Sequence, residues 1–211
     1  MLRHGRMKAG RRATGAGSVA EKPVGFDFTA HMRRLCEDIT QRLPALAHID
    51  MGRVAVSFSQ ARKRVRHGLY ATLTPMRFKD GALAAKRNGL HYTVQRLYAP
   101  DGREMLYILS FYLPRFLDET FREKMITVFH ELWHISPLFD GDIRRHPGRC
   151  HVHTQSQREY DEQMANLVDG WLNRNPPEPL YDFLHESFDT LNRRHGGICG
   201  VKVPHPKLIR I

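Results

Sequence analysis

Hydrophobic positions in this chain come in blocks, each with a helical or a strand-like period. Met32, Leu35, Cys36, Ile39 and Leu43 recur at helical spacing within 27–43, DFTAHMRRLCEDITQRL, and Pro44 ends the run. Residues so spaced share a face, so the pattern predicts a helix with a buried stripe. Runs rich in Val, Tyr, Phe, Thr and Ile follow at 53–59, 69–79, 90–98 and 104–112. Their partial alternation predicts four strands. Pro75 predicts that the second is an edge strand or carries a bulge, because proline donates nothing to a ladder. Pro100-Asp101-Gly102 is a turn signal and predicts a hairpin between the last two.

Helical spacing returns in 118–135, DETFREKMITVFHELWHI, where Phe121, Met125, Val128, Phe129 and Leu132 form one apolar arc. Asp118, Glu119 and Glu123 suit the positive end of that helix, and Pro137 stops it. A further helix is predicted over 157–173, burying Tyr160, Met164, Leu167, Val168, Trp171 and Leu172. Pro176-Pro177-Glu178-Pro179 reads as a stiff linker to a last helix at 180–194, closed by Gly196-Gly197. Residues 198–211 read as extended, with Pro204 and Pro206 limiting sheet pairing. The sum is an α+β domain: a small, mainly antiparallel sheet followed by three helices.

Composition sharpens this. The 211 residues suit one domain, at 23–211. Residues 1–22 are rich in Arg, Lys and Gly and poor in large apolar groups, so they read as a disordered basic arm. No apolar run approaches the ~18 residues of a membrane span, and the first residues lack a signal-type apolar segment. Cys36, Cys150 and Cys199 are odd in number and far apart, which predicts free thiols in a reducing cytoplasm. A net charge of +11 favours acidic partners, nucleic acid above all, and equally fits a basic enzyme. The arm and loop 60–67, with its run of Arg and Lys, are the stretches expected to meet phosphate.

Candidate chemistry sits opposite the apolar arc. His130-Glu131-Leu132-Trp133-His134 is a His-Glu-x-x-His motif, and residues four apart on a helix share a face. Two imidazoles so placed suit one Zn²⁺ ion, with Glu131 as general base towards a zinc-bound water. A catalytic zinc usually takes three protein ligands. The loop after the helix offers His146, His151 and His153, and the next helix offers Glu159 and Glu162. His153 is preferred: eighteen residues separate it from His134, room for a loop to go out and return. Glu159 and Glu162 fall away from the buried face of 157–173, although Glu162-Gln-Met-Ala165-Asn166 resembles the Glu-x-x-Ala-Asn run of ImmA/IrrE-type peptidases. Asp161, at the edge of that face, is a candidate to orient a liganding imidazole. Arg144, Arg145 and Arg149 are candidates to steady an oxyanion or a substrate carboxylate.

One stretch also carries a family likeness. His130-Glu-Leu-Trp-His134-Ile-Ser-Pro, Phe139-Asp-Gly-Asp-Ile-Arg-Arg, Pro147-Gly-Arg-Cys, His153 and Tyr160-Asp161 resemble the phage-type metallopeptidases, a zincin family of bacteria and prophages. The likeness covers roughly 118–173. It implies a zincin-like fold and zinc peptidase activity, with metal on His130, His134 and a downstream His matching His153. The family does not imply a substrate. In zinc peptidases of this type an edge strand beside the motif helix pairs with an extended peptide. A looser likeness is to SprT-like proteases, from which this chain departs in having no C-terminal zinc ribbon. The rival reading is a nucleic-acid-associated binding protein whose metal site is structural or idle.

Overall fold

The computed structural model describes residues 25–60, 68–145 and 157–211, with the side chains of 157–161 outside it. In chain order the elements are β1 (Phe26–Asp27), α1 (Phe28–Arg42), β2 (Val54–Gln60), β3 (Ala71–Pro75), β4 (Ala84–Arg87), β5 (Leu90–Val94), β6 (Tyr107–Leu113), α2 (Phe121–Trp133), α3 (Gln157–Leu172), α4 (Phe188–His195), β7 (Ile198–Cys199) and β8 (Leu208–Arg210). Short 3₁₀ turns punctuate them. The class is α+β. No helix among the described residues is long and apolar enough to cross a membrane.

β6 is the centre of the first sheet, whose order is β2-β6-β3. Its parallel register with β2 puts Val56 opposite Leu109 and Phe58 opposite Phe111, and its antiparallel register with β3 adds Leu73 and Ala71 to those rows. Side chains opposite one another share a face. That face is the core: α1 lays Phe28, Met32, Leu35, Cys36 and Ile39 on it, all fully buried. The Phe28 ring meets Phe111 and Phe116 edge-on at centroid distances of 5.7 and 6.1 Å. α2 adds Met125, Val128, Phe129 and Leu132, and α3 adds Met164, Val168 and Trp171. Trp171 donates its indole N–H to Asp38 of α1 at 2.9 Å, which ties α3 to α1. The stripes read from spacing are buried in α1, and in α2 and α3 buried or half-buried wherever their side chains are described.

The strands depart from the sequence expectation in their partners. The predicted hairpin between 90–98 and 104–112 forms only near its turn: Ala99 N–H bonds Arg103 O, Met105 N–H bonds Leu97 O, and an antiparallel bridge joins Tyr98 to Glu104. β5 and β6 then enter different sheets. β5 pairs with β4 through the two-residue tip Asn88-Gly89, both at positive φ (49° and 80°). That is the hairpin turn an Asn-Gly pair encodes, and β4 itself was no part of the strand pattern. β8 closes the second sheet, order β4-β5-β8, against expectation for a proline-flanked tail. The first sheet is mixed rather than mainly antiparallel, because β2 runs parallel to β6. The last predicted helix is also shorter. Residues 178–185 form 3₁₀ turns, and α4 starts only after the Ser187 cap.

Candidate functional site

α2 begins at a capping box. The Thr120 hydroxyl accepts the Glu123 N–H at 3.3 Å, and the Glu123 carboxylate accepts the Thr120 N–H at 3.2 Å. Two otherwise orphaned donors are satisfied at once. The other end is held from outside the helix. Arg144 donates its backbone N–H to His134 O (2.7 Å) and its Nε to Trp133 O (2.6 Å), and its guanidinium lies 4.0 Å over the Trp133 ring. A cation at a helix C-terminus complements both the dipole and the unpaired carbonyls. This is a positioning part for Arg144, alongside its candidacy as an oxyanion group.

Lys124 fixes the middle of α2. Its side chain is buried, and its ammonium donates to Leu184 O (2.9 Å) and Glu186 O (2.8 Å). Burial pushes its pKa down to about 8, against the pull of Asp118 and Glu119. Nothing in the hydrophobic pattern marked this lysine, because a charge inside an apolar arc reads as surface. The segment after α2 is clamped to the sheet by Tyr107, whose hydroxyl donates to Asp142 O (2.9 Å) and accepts the Gly141 N–H (3.0 Å). The Asp142 carboxylate accepts the Asp80 N–H at 3.0 Å and a two-pronged bond from Arg145 at 2.7 and 2.8 Å. Gly141 sits at φ 90° with Arg77 Cγ 2.5 Å from where a Cβ would stand, so only glycine fits there. The Asp-Gly-Asp run thus docks the loop that follows the motif helix.

Held in this way, α2 brings three of the sequence candidates together. His130 and His134 stand on consecutive turns with ring centroids 4.6 Å apart and planes at 72°. Glu131 is largely desolvated, which raises its carboxyl to about 7, and its carboxylate accepts the Leu73 backbone N–H, which works the other way. Leu73 lies on β3, the edge of the first sheet. Tyr112 N–H bonds Tyr70 O and Met76 N–H bonds Leu106 O, so even-numbered residues of β3 face β6. The alternation leaves Ala71 and Leu73 with their backbone groups pointing outward. Pro75 lies in an edge strand, as expected of it, and is the last residue of β3. The opposite edge, β2, is covered by the C-terminal segment, where Phe58 N–H bonds Val201 O at 3.1 Å and Val203 N–H bonds Ser57 Oγ at 2.8 Å.

Of the remaining ligand candidates, only Glu162 has a described side chain. His146, Arg149, Cys150, His151, His153 and the side chains of Glu159 and Asp161 lie outside the described residues. Glu162 is exposed on α3. Among the described residues no set of three or more His, Cys, Asp or Glu side chains is grouped to hold a metal ion. Of the thiols described, Cys36 is buried in the core and Cys199 half-buried, and neither is in a disulfide. No protein-family model, curated protein or solved structure matches the chain.

Proposed function

We propose that this chain is a zincin-like, zinc-dependent peptidase, with His130 and His134 as two zinc ligands and Glu131 as general base. One observation carries the reading: a single helix sets two imidazoles 4.6 Å apart next to a desolvated carboxylate that abuts an outward-facing strand edge. The donor set fits zinc, since neutral imidazoles on one helical face are its usual nitrogen ligands. His153 remains the preferred third ligand, with His151, His146 and Glu162 as alternatives. Zinc held there supplies a Lewis acid for a peptide carbonyl and lowers the pKa of water.

The chain's own groups do the rest. The outward Ala71 backbone and the Leu73 carbonyl pair with an extended peptide, while the Leu73 N–H stays on Glu131 and holds that carboxylate beside the scissile bond. Glu131 takes a proton from the attacking water and returns it to the leaving amine; a carboxylate in a dry site is a stronger base than one in water. Glu131→Gln tests this on a casein or random-peptide substrate. The variant is expected to keep its zinc after dialysis and lose ~10²–10⁴-fold in cleavage rate. Parent protein that retains no zinc, or a variant as active as the parent, overturns the reading. Zinc retained with no cleavage by the parent favours the rival reading of a structural or idle metal.

A further inference from the structure

The second sheet has no part in that chemistry, and its surface is of one charge. Residues 76–100 and 200–211 carry eight Lys and Arg and a single carboxylate, Asp80, a formal +7; Glu104, outside these stretches, pairs with Arg77 at 2.7 Å and Arg96 at 3.6 Å. No described helix packs across β4-β5-β8 as α1 and α2 do across the first sheet. Arg87, Lys86 and Arg210 are exposed on it. The register sets Tyr92 opposite Arg210 and Lys86 opposite His91, so Arg87, Tyr92 and Arg210 share one face of the sheet while Lys86 and His91 share the other. At the foot of the sheet lies a cleft of about 480 Å³, bordered by Phe78, Lys79, Lys86, Arg87, Ile143 and Arg145. Its acidic lining residues are Asp80 and Asp142, and the latter is already bound to Arg145. Among the described residues Lys79, Lys86 and Arg87 have no ion-pair partner.

We infer that this sheet and its cleft bind the phosphate backbone of a nucleic acid. Clustered cations left without carboxylate partners are the footprint of a polyanion, since each phosphate neutralised releases counterions. Tyr92, and Tyr98 at 52% exposure, put aromatic surface among those cations, which suits stacking on bases. An acidic protein would also be drawn to the charge. With no helix across it among the described residues, the sheet offers a broad basic surface that a nucleic acid uses rather than a deep pocket for an anchoring side chain. The site is independent of the zinc reading, and its residues are distinct from those of the basic arm and of loop 60–67.

The test is binding of the full chain to fluorescent DNA, a duplex of about 20 base pairs and a single strand of the same length, between 50 and 200 mM salt. A variant with Lys86, Arg87 and Arg210 changed to Gln is expected to bind both or the preferred form at least ~10-fold more weakly, with a salt slope shallower by about 2–3. A control with Arg34, Arg174 and Arg193 changed to Gln removes the same charge elsewhere and is expected to bind as the parent does. Thermal melting of each variant checks that the fold is kept. The inference is overturned if the parent binds neither DNA at 50 mM salt, if the sheet variant binds as the parent does, or if the control weakens as much. It is also overturned if polyglutamate displaces the DNA at equal charge, which would mark an acidic-protein site.

Discussion

The chain contains two three-stranded sheets built from similar residues and treated in opposite ways by the rest of the fold. In the first, β6 reads YILSFYL and is buried along nearly its whole length. In the second, β8 reads LIR and is exposed throughout, with Leu208 and Ile209 each at 46%. Strand propensity does not separate them, since Leu, Ile and Tyr occur in both. Helix cover does. α1, α2 and α3 each present an apolar stripe to one core: α1 packs on β2, α2 on β3, and α3 on α2. The second sheet is left with Lys86, Arg87 and Arg210 exposed, which keeps it in water. A sheet surrounded by helices can position a helix precisely enough for chemistry, and a bare charged sheet can meet a large polyanion. The proposed peptidase centre and nucleic-acid surface divide along that line.

The comparison is most strongly tested by truncating matched residues. Phe111→Ala removes a fully buried ring from β6 and is expected to cost about 3–5 kcal/mol, read as a shift in the denaturant midpoint. Leu208→Ala in β8 is expected to cost less than about 1 kcal/mol by the same measurement. Equal losses would mean that the second sheet is covered in solution.

A smaller effect is expected at Lys124, the charge buried within the first sheet's helix layer. Lys124→Met leaves the Leu184 and Glu186 carbonyls without their donor and is expected to destabilise by about 2–4 kcal/mol at pH 7. The same residue predicts a pH dependence. Its folded pKa of about 8 lies below its ordinary 10.5, so between these values the unfolded chain binds the extra proton. Stability contributed by this group therefore rises with pH across that window, by up to ~3 kcal/mol. The gap between parent and Lys124→Met is expected to widen from pH 8 to 10. A gap that stays constant would show that Lys124 keeps its charge when buried.

The smallest effect is local. Asn88 holds φ 49° at the tip of the second sheet, and Asn88→Ala is expected to cost about 1 kcal/mol of local stability. It should appear as faster amide exchange in β4 and β5, with protection in β6 unchanged. Loss of protection in both sheets would show that they open as one unit.

Much of the motif helix was legible in the sequence. The apolar arc of Phe121 to Leu132, the acidic start and the outward pair His130 and His134 all follow from a 3.6-residue period, because a helix satisfies its own backbone. The capping box that begins it three residues later than the acidic run is likewise written in Thr120 and Glu123. Pro75 as the end of an edge strand and Gly196 as the left-handed close of α4 are also local facts. Each depends on residues a few positions apart.

Pairing across distance was not legible. A strand leaves half its hydrogen bonds to partners elsewhere, so alternation identifies β5 and β6 as strands without saying that they join different sheets. The same holds for Leu73 N–H meeting Glu131, for Tyr107 clamping the Gly141-Asp142 turn, and for Lys124 inside an apolar layer. All of these join residues separated by more than thirty positions, and no periodicity records such a separation. The sequence by itself determined which segments are helices, which faces they bury and which side chains share a turn, since those are short-range consequences of backbone geometry. Only the tertiary structure decided which sheet the helices cover, and with it which carboxylate is dried out and which cations stay in water, because burial is a property of the whole packed chain.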